Sequence, residues 1–212
     1  DRDWSSDVCS SDLVVKTARG VLIPRPETEL LVEAVLDFLN GSEDPKIVEV
    51  GTGTGCIALS LAKEAAAHVV ATDISPQAAA CARANAEMLG LEALVDVVET
   101  DCLEGIEGPF DVLVSNPPYI PTALLEELPH EVTGFEPHLA LDGGADGLAF
   151  FDRLVAQAPH ILKPGALFAC ELHEECLQEA VRRLESNGFE QARVVDDLAG
   201  RPRIALAHTA TR

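Results

Sequence analysis

The segment Asn116-Pro117-Pro118-Tyr119 contains the residue types in this sequence that are best suited to chemistry. Its two prolines remove two backbone N–H donors, so the segment offers mainly carbonyl acceptors and one side-chain amide. Such a loop suits a substrate with a planar –NH2 group, because the Asn116 oxygen and the Pro117 carbonyl can each accept one N–H. We therefore predict that Asn116, Pro117 and Tyr119 are catalytic and that all four residues bind the substrate. The alternative interpretation is a Pro-Pro surface turn.

A glycine-rich segment, residues 49–55, lies between a predicted strand and a predicted helix. Backbone N–H groups in such a turn can approach a ligand closely. The G-x-G-x-G spacing differs from the G-x-G-x-x-G of dinucleotide-binding proteins, and an ordinary tight turn is the alternative. Asp73 ends the next predicted strand, where a carboxylate can accept hydrogen bonds from both hydroxyls of a ribose. Together these features predict a nucleoside site formed by Glu49, Gly51, Thr52, Gly53, Thr54, Gly55 and Asp73.

Asp101 and Cys102 follow the third predicted strand. In a doubly wound sheet this position lies at the carboxyl edge, where ligands bind. We expect Asp101 to accept a hydrogen bond from an adenine amino group and the Cys102 backbone to contact the ring. A solvated acidic turn is the alternative.

Strand-like and helix-like segments alternate from residue 14 onward. Apolar runs predict strands at residues 46–50, 68–72, 94–98, 110–114 and 166–171, and the chain closes with predicted strands at 189–195 and 203–207. Helical spacing predicts helices at residues 26–39, 56–64, 75–89, 148–162 and 174–186. This alternation predicts an α/β fold with a doubly wound, mostly parallel Rossmann-like sheet and an antiparallel strand near the C-terminus.

The composition narrows the classes of partner. The 212 residues include 15 Lys and Arg against 36 Asp and Glu, a formal net charge of −21. A field of this sign repels phosphate backbones, so we expect no direct binding of nucleic acid. No apolar run reaches about 18 residues and no secretory signal is evident, which predicts a cytoplasmic monomer with no membrane partner. The six cysteines have no metal-ligand spacing, so we expect buried thiols and no metal site.

Residues 1–13 read DRDWSSDVCSSDL, a polar, Ser/Asp-rich stretch without usable periodicity. This stretch resembles the translation of a sequencing-library adapter, and a natural disordered tail is the alternative. We expect these residues to be a non-native or disordered tail and residues 14–212 to be the folded domain. If the adapter interpretation holds, the protein continues upstream.

The glycine segment, Asp73 and residues 116–119 together resemble the S-adenosylmethionine-dependent methyltransferases that alkylate amino groups of planar amides or bases. Further segments resemble one family, the release factor glutamine methyltransferases, with a match that covers residues 21–206. These segments are residues 21–29 (VLIPRPETE), Glu136-Pro137, Ala140-Leu141, residues 143–147 (GGADG) and residues 197–201 (DLAGR).

This resemblance implies a sheet of the methyltransferase type, S-adenosylmethionine as cofactor and methylation of the glutamine amide in the Gly-Gly-Gln motif of peptide chain release factors. It also implies that Asn116 touches both cofactor and substrate, and that Asp101 and Cys102 complete the cofactor site. Family members carry an upstream helical substrate-binding domain, which residues 1–212 do not supply. The chain departs from the family at residues 172–175, a segment expected to lie away from the chemistry. The alternatives are a ribosomal protein glutamine methyltransferase, a nucleic-acid adenine methyltransferase and an inactive fragment that binds cofactor or translation factor.

Overall fold

A seven-stranded sheet forms the centre of the computed structural model, which describes residues 5–6, 13–127, 137–197 and 199–211. Its strands are β1 Lys46–Val50, β2 His68–Asp73, β3 Val95–Glu99, β4 Phe110–Ser115, β5 Leu162–Glu171, β6 Glu190–Asp196 and β7 Pro202–His208. They follow one another as β3-β2-β1-β4-β5-β7-β6 across the sheet. Neighbours from β3 to β5 are parallel, whereas β7 runs antiparallel to both β5 and β6. This arrangement confirms the predicted fold class.

Helices cover both faces of this sheet and create two apolar layers. The helices are α1 Glu29–Leu39, α2 Cys56–Ala65, α3 Pro76–Leu89, α4 Ala149–Gln157 and α5 Leu177–Ser186. Successive residues of a strand point to opposite faces. Ile47 of β1 therefore packs in the layer under α1, α2 and α3, while Val48 packs in the layer under α4 and α5. Because both faces are covered, residues 47–50 of β1 are all buried, as expected of a central parallel strand.

Helix α3 has its predicted boundaries because a helix start signal precedes it and a helix stop signal follows it in the sequence. The Ser75 hydroxyl accepts a hydrogen bond from the Ala78 backbone N–H at 3.3 Å, which satisfies one unpaired donor of the first turn. Gly90 ends the helix with a φ of +68°, a left-handed conformation that suits glycine.

The predicted helix at residues 148–162 is too long. Helix α4 ends at Gln157, a 3-10 turn covers Ala158–His160, and Leu162 already begins β5. Residues 163–165, predicted to end the helix, lie inside that strand. The cause is distant in sequence: the Thr209 hydroxyl donates to the Lys163 carbonyl at 2.6 Å and accepts from the Ala166 N–H at 3.0 Å. Helix α5 likewise begins at Leu177 rather than residue 174, because the Cys176 N–H bonds the His173 carbonyl in a turn.

Part of the predicted tail contacts the fold. Leu13 is buried in the core next to Val15, and Ser5–Ser6 pair antiparallel with Val15–Lys16. Residues 1–4 and 7–12 lie outside the described part of the chain, as do Glu136 and Leu198 from the family-like segments. Cys81, Cys102, Cys170 and Cys176 are buried free thiols, as expected. Cys56 departs from that expectation because it is disulfide-bonded.

Within the described ranges, no helix combines the length and the apolar character that crossing a bilayer requires.

Candidate active site

The glycine turn connects β1 to α2 at the carboxyl edge of the sheet. Gly51, Gly53 and Gly55 have φ values of +78°, +57° and +84°, which side chains rarely adopt. Gly55 also has no room for a side chain, because a Cβ there would lie 3.2 Å from both Ala82 Cβ and Leu59 Cδ1. The Gly51 and Thr52 N–H groups both donate to the Thr72 carbonyl of β2, at 2.8 and 2.9 Å. The turn is therefore held against the neighbouring strand.

Glu49 lies beneath this turn and supports it from inside. Only 1% of Glu49 is exposed, and its Oε2 accepts from the Thr52 hydroxyl at 2.6 Å and from the Ala58 N–H at 3.2 Å. Its Oε1 is buried without a hydrogen-bond partner. Burial raises the pKa of Glu49 to about 8, although the bonds from Thr52 and Ala58 oppose the rise. Glu49 therefore joins the turn to the first turn of α2.

Asp73 ends β2 and faces the turn from the second strand. Its Oδ2 accepts from the Gly53 N–H at 2.9 Å, and its Oδ1 accepts from the Ser75 N–H at 2.9 Å. Burial raises the pKa of this carboxyl, and the backbone donors oppose the rise. Each oxygen of a carboxylate has a further lone pair. Asp73 can therefore hold the glycine turn and still accept hydrogen bonds from a ligand.

Asp101 and Cys102 lie at the same edge, but Asp101 already has a partner. Its Oδ1 forms an ion pair with Arg153 Nη2 at 2.9 Å, and the Arg153 guanidinium lies 5.5 Å from the centre of the Phe150 ring. The Cys102 carbonyl accepts from the Thr72 hydroxyl at 3.0 Å, so that this backbone position is fixed to β2. An adenine amino group would share Asp101 with Arg153. Arg153 and Phe150 of α4 were not among the predicted site residues, because nothing in their spacing along the sequence indicates a ligand site.

The loop at residues 116–119 follows β4, as predicted, and is enclosed by the glycine-rich segment 143–147. A Cβ at Gly143 would lie 2.7 Å from Tyr119 Cα, and one at Gly147 would overlap the Tyr119 carbonyl. The Ile120 N–H bonds the Leu141 carbonyl, and the Gly143 N–H bonds the Ile120 carbonyl. Tyr119 itself is half-buried, and burial raises its pKa to about 12, so its hydroxyl is neutral at ordinary pH.

Asn116 has polar partners from two distant parts of the chain. Its Nδ2 donates to the Thr28 hydroxyl at 3.2 Å, and Thr28 ends the 3-10 turn before α1. Glu171, the last residue of β5, is 4% exposed and lies beside both groups. His173 lies 6.4 Å from Tyr119, ring centre to ring centre, so residues 172–175 are near this loop rather than away from it. Thr28 belongs to a family-like segment, whereas no local signal marks Glu171.

One cavity of about 290 Å³ brings most of these residues together. This volume is close to the lower end of the range for small-molecule sites. Glu49, Gly55, Pro117 and Tyr119 do not line it, whereas Thr28, Arg153 and Phe150 are lining residues that the prediction did not include. The predicted residues that line the cavity are Gly51, Thr52, Gly53, Thr54, Asp73, Asp101, Cys102, Asn116 and Pro118.

The cavity suits a nucleoside. The glycine turn contributes Gly51, Thr52, Gly53 and Thr54 to its wall, and Asp73 has further lone pairs for ribose hydroxyls beside the two backbone N–H groups it accepts. The wall also carries the exposed Ile74 side chain next to Asp73, which provides an apolar surface for a base. Ile74 was absent from the prediction.

The sheet order, the glycine turn and the acidic second strand define an S-adenosylmethionine-dependent methyltransferase. Residues 26–127 match the family described as Methyltransferase small domain. The fold is similar to that of a T. thermophilus 16S rRNA N2 methyltransferase in complex with AdoMet and guanosine, with a TM-score of 0.68 and 21% identity. The similarity covers 98% of this chain and 50% of the other, and at this identity it shows the fold alone.

Two curated relatives identify the family more closely. The release factor glutamine methyltransferase of Moorella thermoacetica is 47% identical over 197 residues, which cover 91% of this chain and 69% of the relative. The release factor glutamine methyltransferase of Clostridium acetobutylicum is 42% identical over 193 residues, covering 89% and 68%. The chain belongs to the release factor glutamine methyltransferase family, and its cofactor is S-adenosylmethionine.

Proposed function

We propose that this chain transfers a methyl group from S-adenosylmethionine to the side-chain amide nitrogen of the Gly-Gly-Gln glutamine in peptide chain release factors. One observation carries the proposal: Asn116 lines the same cavity as Asp73 and the glycine turn. A group that can accept from an amide –NH2 therefore lies beside the residues suited to a nucleoside. Both curated relatives are named for release factor glutamine, which gives the acceptor class.

The cofactor side of the proposed site consists of the glycine turn, Asp73 and the 101–102 segment. S-adenosylmethionine supplies a methyl group bonded to a positively charged sulfur. Asp73 accepts from the ribose hydroxyls, and the backbone of Gly51, Thr52, Gly53 and Thr54 lies against the rest of the molecule. Glu49 and Gly55 act indirectly, because they hold the turn without lining the cavity.

The substrate side consists of residues 116–119. The Asn116 Oδ1 and the Pro117 carbonyl each accept one N–H of the glutamine amide, while Pro118 lines the cavity and Tyr119 supports the loop. An amide nitrogen is a poor nucleophile because its lone pair is delocalised into the carbonyl. Fixed orientation of both reactants can supply on the order of 7–11 kcal/mol. Transfer would replace the S–C bond by an N–C bond and leave a neutral thioether. The positive charge that grows on nitrogen would strengthen both hydrogen bonds, and the nitrogen would then lose one N–H proton to water.

A protein acceptor agrees with the charge of the chain. The net charge of −21 disfavours approach to a phosphate backbone. We therefore propose a release factor, rather than a flipped nucleic-acid base, as the acceptor.

Mass spectrometry of a purified release factor, incubated with this chain and S-adenosylmethionine, tests the proposal. Duplex DNA and a ribosomal protein serve as parallel acceptors. We expect one added methyl on the Gly-Gly-Gln glutamine, near abolition of transfer by Asn116→Ala, and cofactor affinity within about tenfold, or about 1.4 kcal/mol, in that variant. Methylation of DNA or of the ribosomal protein alone would contradict the acceptor, and normal turnover in Asn116→Ala would contradict the role of this residue.

A further inference from the structure

Glu171 has a buried side-chain carboxyl group and lies at the sheet edge where the parallel strands end. None of the cofactor and substrate roles proposed above involves this residue. It does not line the cavity, and its Oε2 is buried without a hydrogen-bond partner. In the sheet, Ser115 of β4 is paired with Cys170 of β5. The residues that follow this pair are Asn116 and Glu171. The strand register therefore places the carboxyl next to the amide that is proposed to receive the substrate.

Thr28 completes a chain of hydrogen bonds between these two side chains. Its hydroxyl is buried and accepts from Asn116 Nδ2 at 3.2 Å. A hydroxyl has one proton to donate, and Glu171 is the carboxyl with which Thr28 hydrogen-bonds. An ionised carboxylate only accepts. The direction of every bond in the chain is then determined: Asn116 donates to Thr28, and Thr28 donates to Glu171.

We infer that Glu171 is a positioning residue that acts through Thr28 to hold the Asn116 amide with its Oδ1 toward the cavity. This inference rests on the proposed function, in which that oxygen accepts from the substrate amide. Thr28 and Glu171 together take up the N–H donors of Asn116, because Glu171 also hydrogen-bonds with the Asn116 side chain. The oxygen is the part of the amide left for a ligand.

Protonation of Glu171 reverses this arrangement. A neutral carboxyl can donate to Thr28, whose proton is then free to bond the Asn116 oxygen, and the rotated amide presents –NH2 toward the substrate –NH2. Burial raises the pKa of Glu171 to about 7, while the Thr28 bond and Arg203 oppose the rise. Methyl transfer should therefore increase with pH through about 7. The charged and titratable groups around Glu171 and the adjoining Tyr119 ring are Arg203, Glu27, Arg25, Tyr119, His173 and the buried thiol of Cys170.

Two substitutions of Thr28 separate this role from packing. Thr28→Val keeps the shape and removes the hydroxyl, whereas Thr28→Ser keeps the hydroxyl and loses a methyl. We expect Thr28→Val to lower kcat at least tenfold, with the Kd of S-adenosylmethionine unchanged within about threefold, and Thr28→Ser to stay within about threefold of wild-type kcat. Glu171→Gln should lower kcat and remove the fall in rate below pH 7, because the amide of the substituted side chain has no proton to gain in this range.

The outcomes distinguish this inference from the proposed function. If Asn116→Ala is inactive while Thr28→Val and Glu171→Gln keep the wild-type rate and pH profile, the inference is overturned and the proposed function stands. If the wild type methylates no release factor, the proposed function fails, and NMR of the Asn116 side-chain –NH2 decides the inference. These signals, identified by their loss in Asn116→Ala, should titrate with pH in the wild type and not in Glu171→Gln. Identical signals in both proteins across the pH range would overturn it.

Discussion

Gly147→Ala tests whether the 143–147 segment holds the loop at residues 116–119 in place. Gly147 has a φ of +78°, and a Cβ at this position would lie 3.3 Å from the Tyr119 carbonyl carbon, still closer to its oxygen, and 3.1 Å from Cys176 Sγ. The added methyl group therefore meets backbone that cannot rotate away. Either the 143–147 segment or the loop at residues 116–119 must move.

The size of the effect follows from two separable costs. A left-handed φ costs an L-residue roughly 1–2 kcal/mol, and overpacking against rigid backbone costs roughly 1–3 kcal/mol more. Gly188→Ala is the matched control, because Gly188 has a φ of +83° and nothing within 4 Å of the added Cβ. We expect Gly188→Ala to lose only the first amount and Gly147→Ala to lose the sum, about 2–5 kcal/mol, in the free energy of unfolding.

The two variants should also differ in methyl transfer activity. A displacement of the Asn116–Tyr119 loop by a fraction of an ångström to about 1 Å can lower the transfer rate on the order of 100-fold. The Kd of S-adenosylmethionine should stay within about threefold, because the proposed cofactor side, formed by the glycine turn and Asp73, is not part of this loop. Urea denaturation and steady-state kinetics measure the two effects. Equal stability loss in the two variants together with wild-type kcat in Gly147→Ala would refute the reasoning.

Two predictions concern the cofactor side. Asp73→Ala removes the acceptor of the Gly53 and Ser75 N–H groups. Calorimetry should therefore show a cofactor affinity that is roughly 10- to 100-fold weaker, about 1.5–3 kcal/mol. An unchanged Kd would exclude Asp73 from the cofactor site. Glu49 keeps its proton up to about pH 8 when folded and loses it near 4.5 when unfolded, so the free energy of unfolding should fall as pH rises between these values. Glu49→Gln should therefore gain Tm relative to wild type from about pH 5 to about pH 8, and parallel Tm curves would contradict this.

The strands and the cofactor side could be predicted because their signals are local. Runs of β-branched residues define β1 and β2, and the turn must follow β1 because glycine alone tolerates its φ values. Asp73 is recognisable because the end of the second parallel strand faces the turn that follows the first. Each of these inferences needs only neighbours in sequence and the general geometry of a doubly wound sheet.

The features that the sequence did not reveal depend on contacts between distant segments. Pro164-Gly165 has the composition of a helix stop, yet bonds to Thr209 place it in β5. Asp101 has the composition of a free acceptor, yet Arg153 of α4 pairs with it. No local sequence feature distinguishes Glu171, because its proposed role depends on the pairing of β4 with β5.

The two glycine-rich segments solve the same physical problem on the two sides of the cavity. Methyl transfer needs donor and acceptor in fixed positions, and a rigid loop must be supported by backbone packed closely behind it. Gly55 gives the cofactor turn that support, because α3 approaches where a Cβ would lie 3.2 Å from Ala82. Gly147 gives the same support to the Asn116–Tyr119 loop. In both cases the glycine lies outside the cavity wall, so substitution there should change the position of a reactant without removing any group that contacts it.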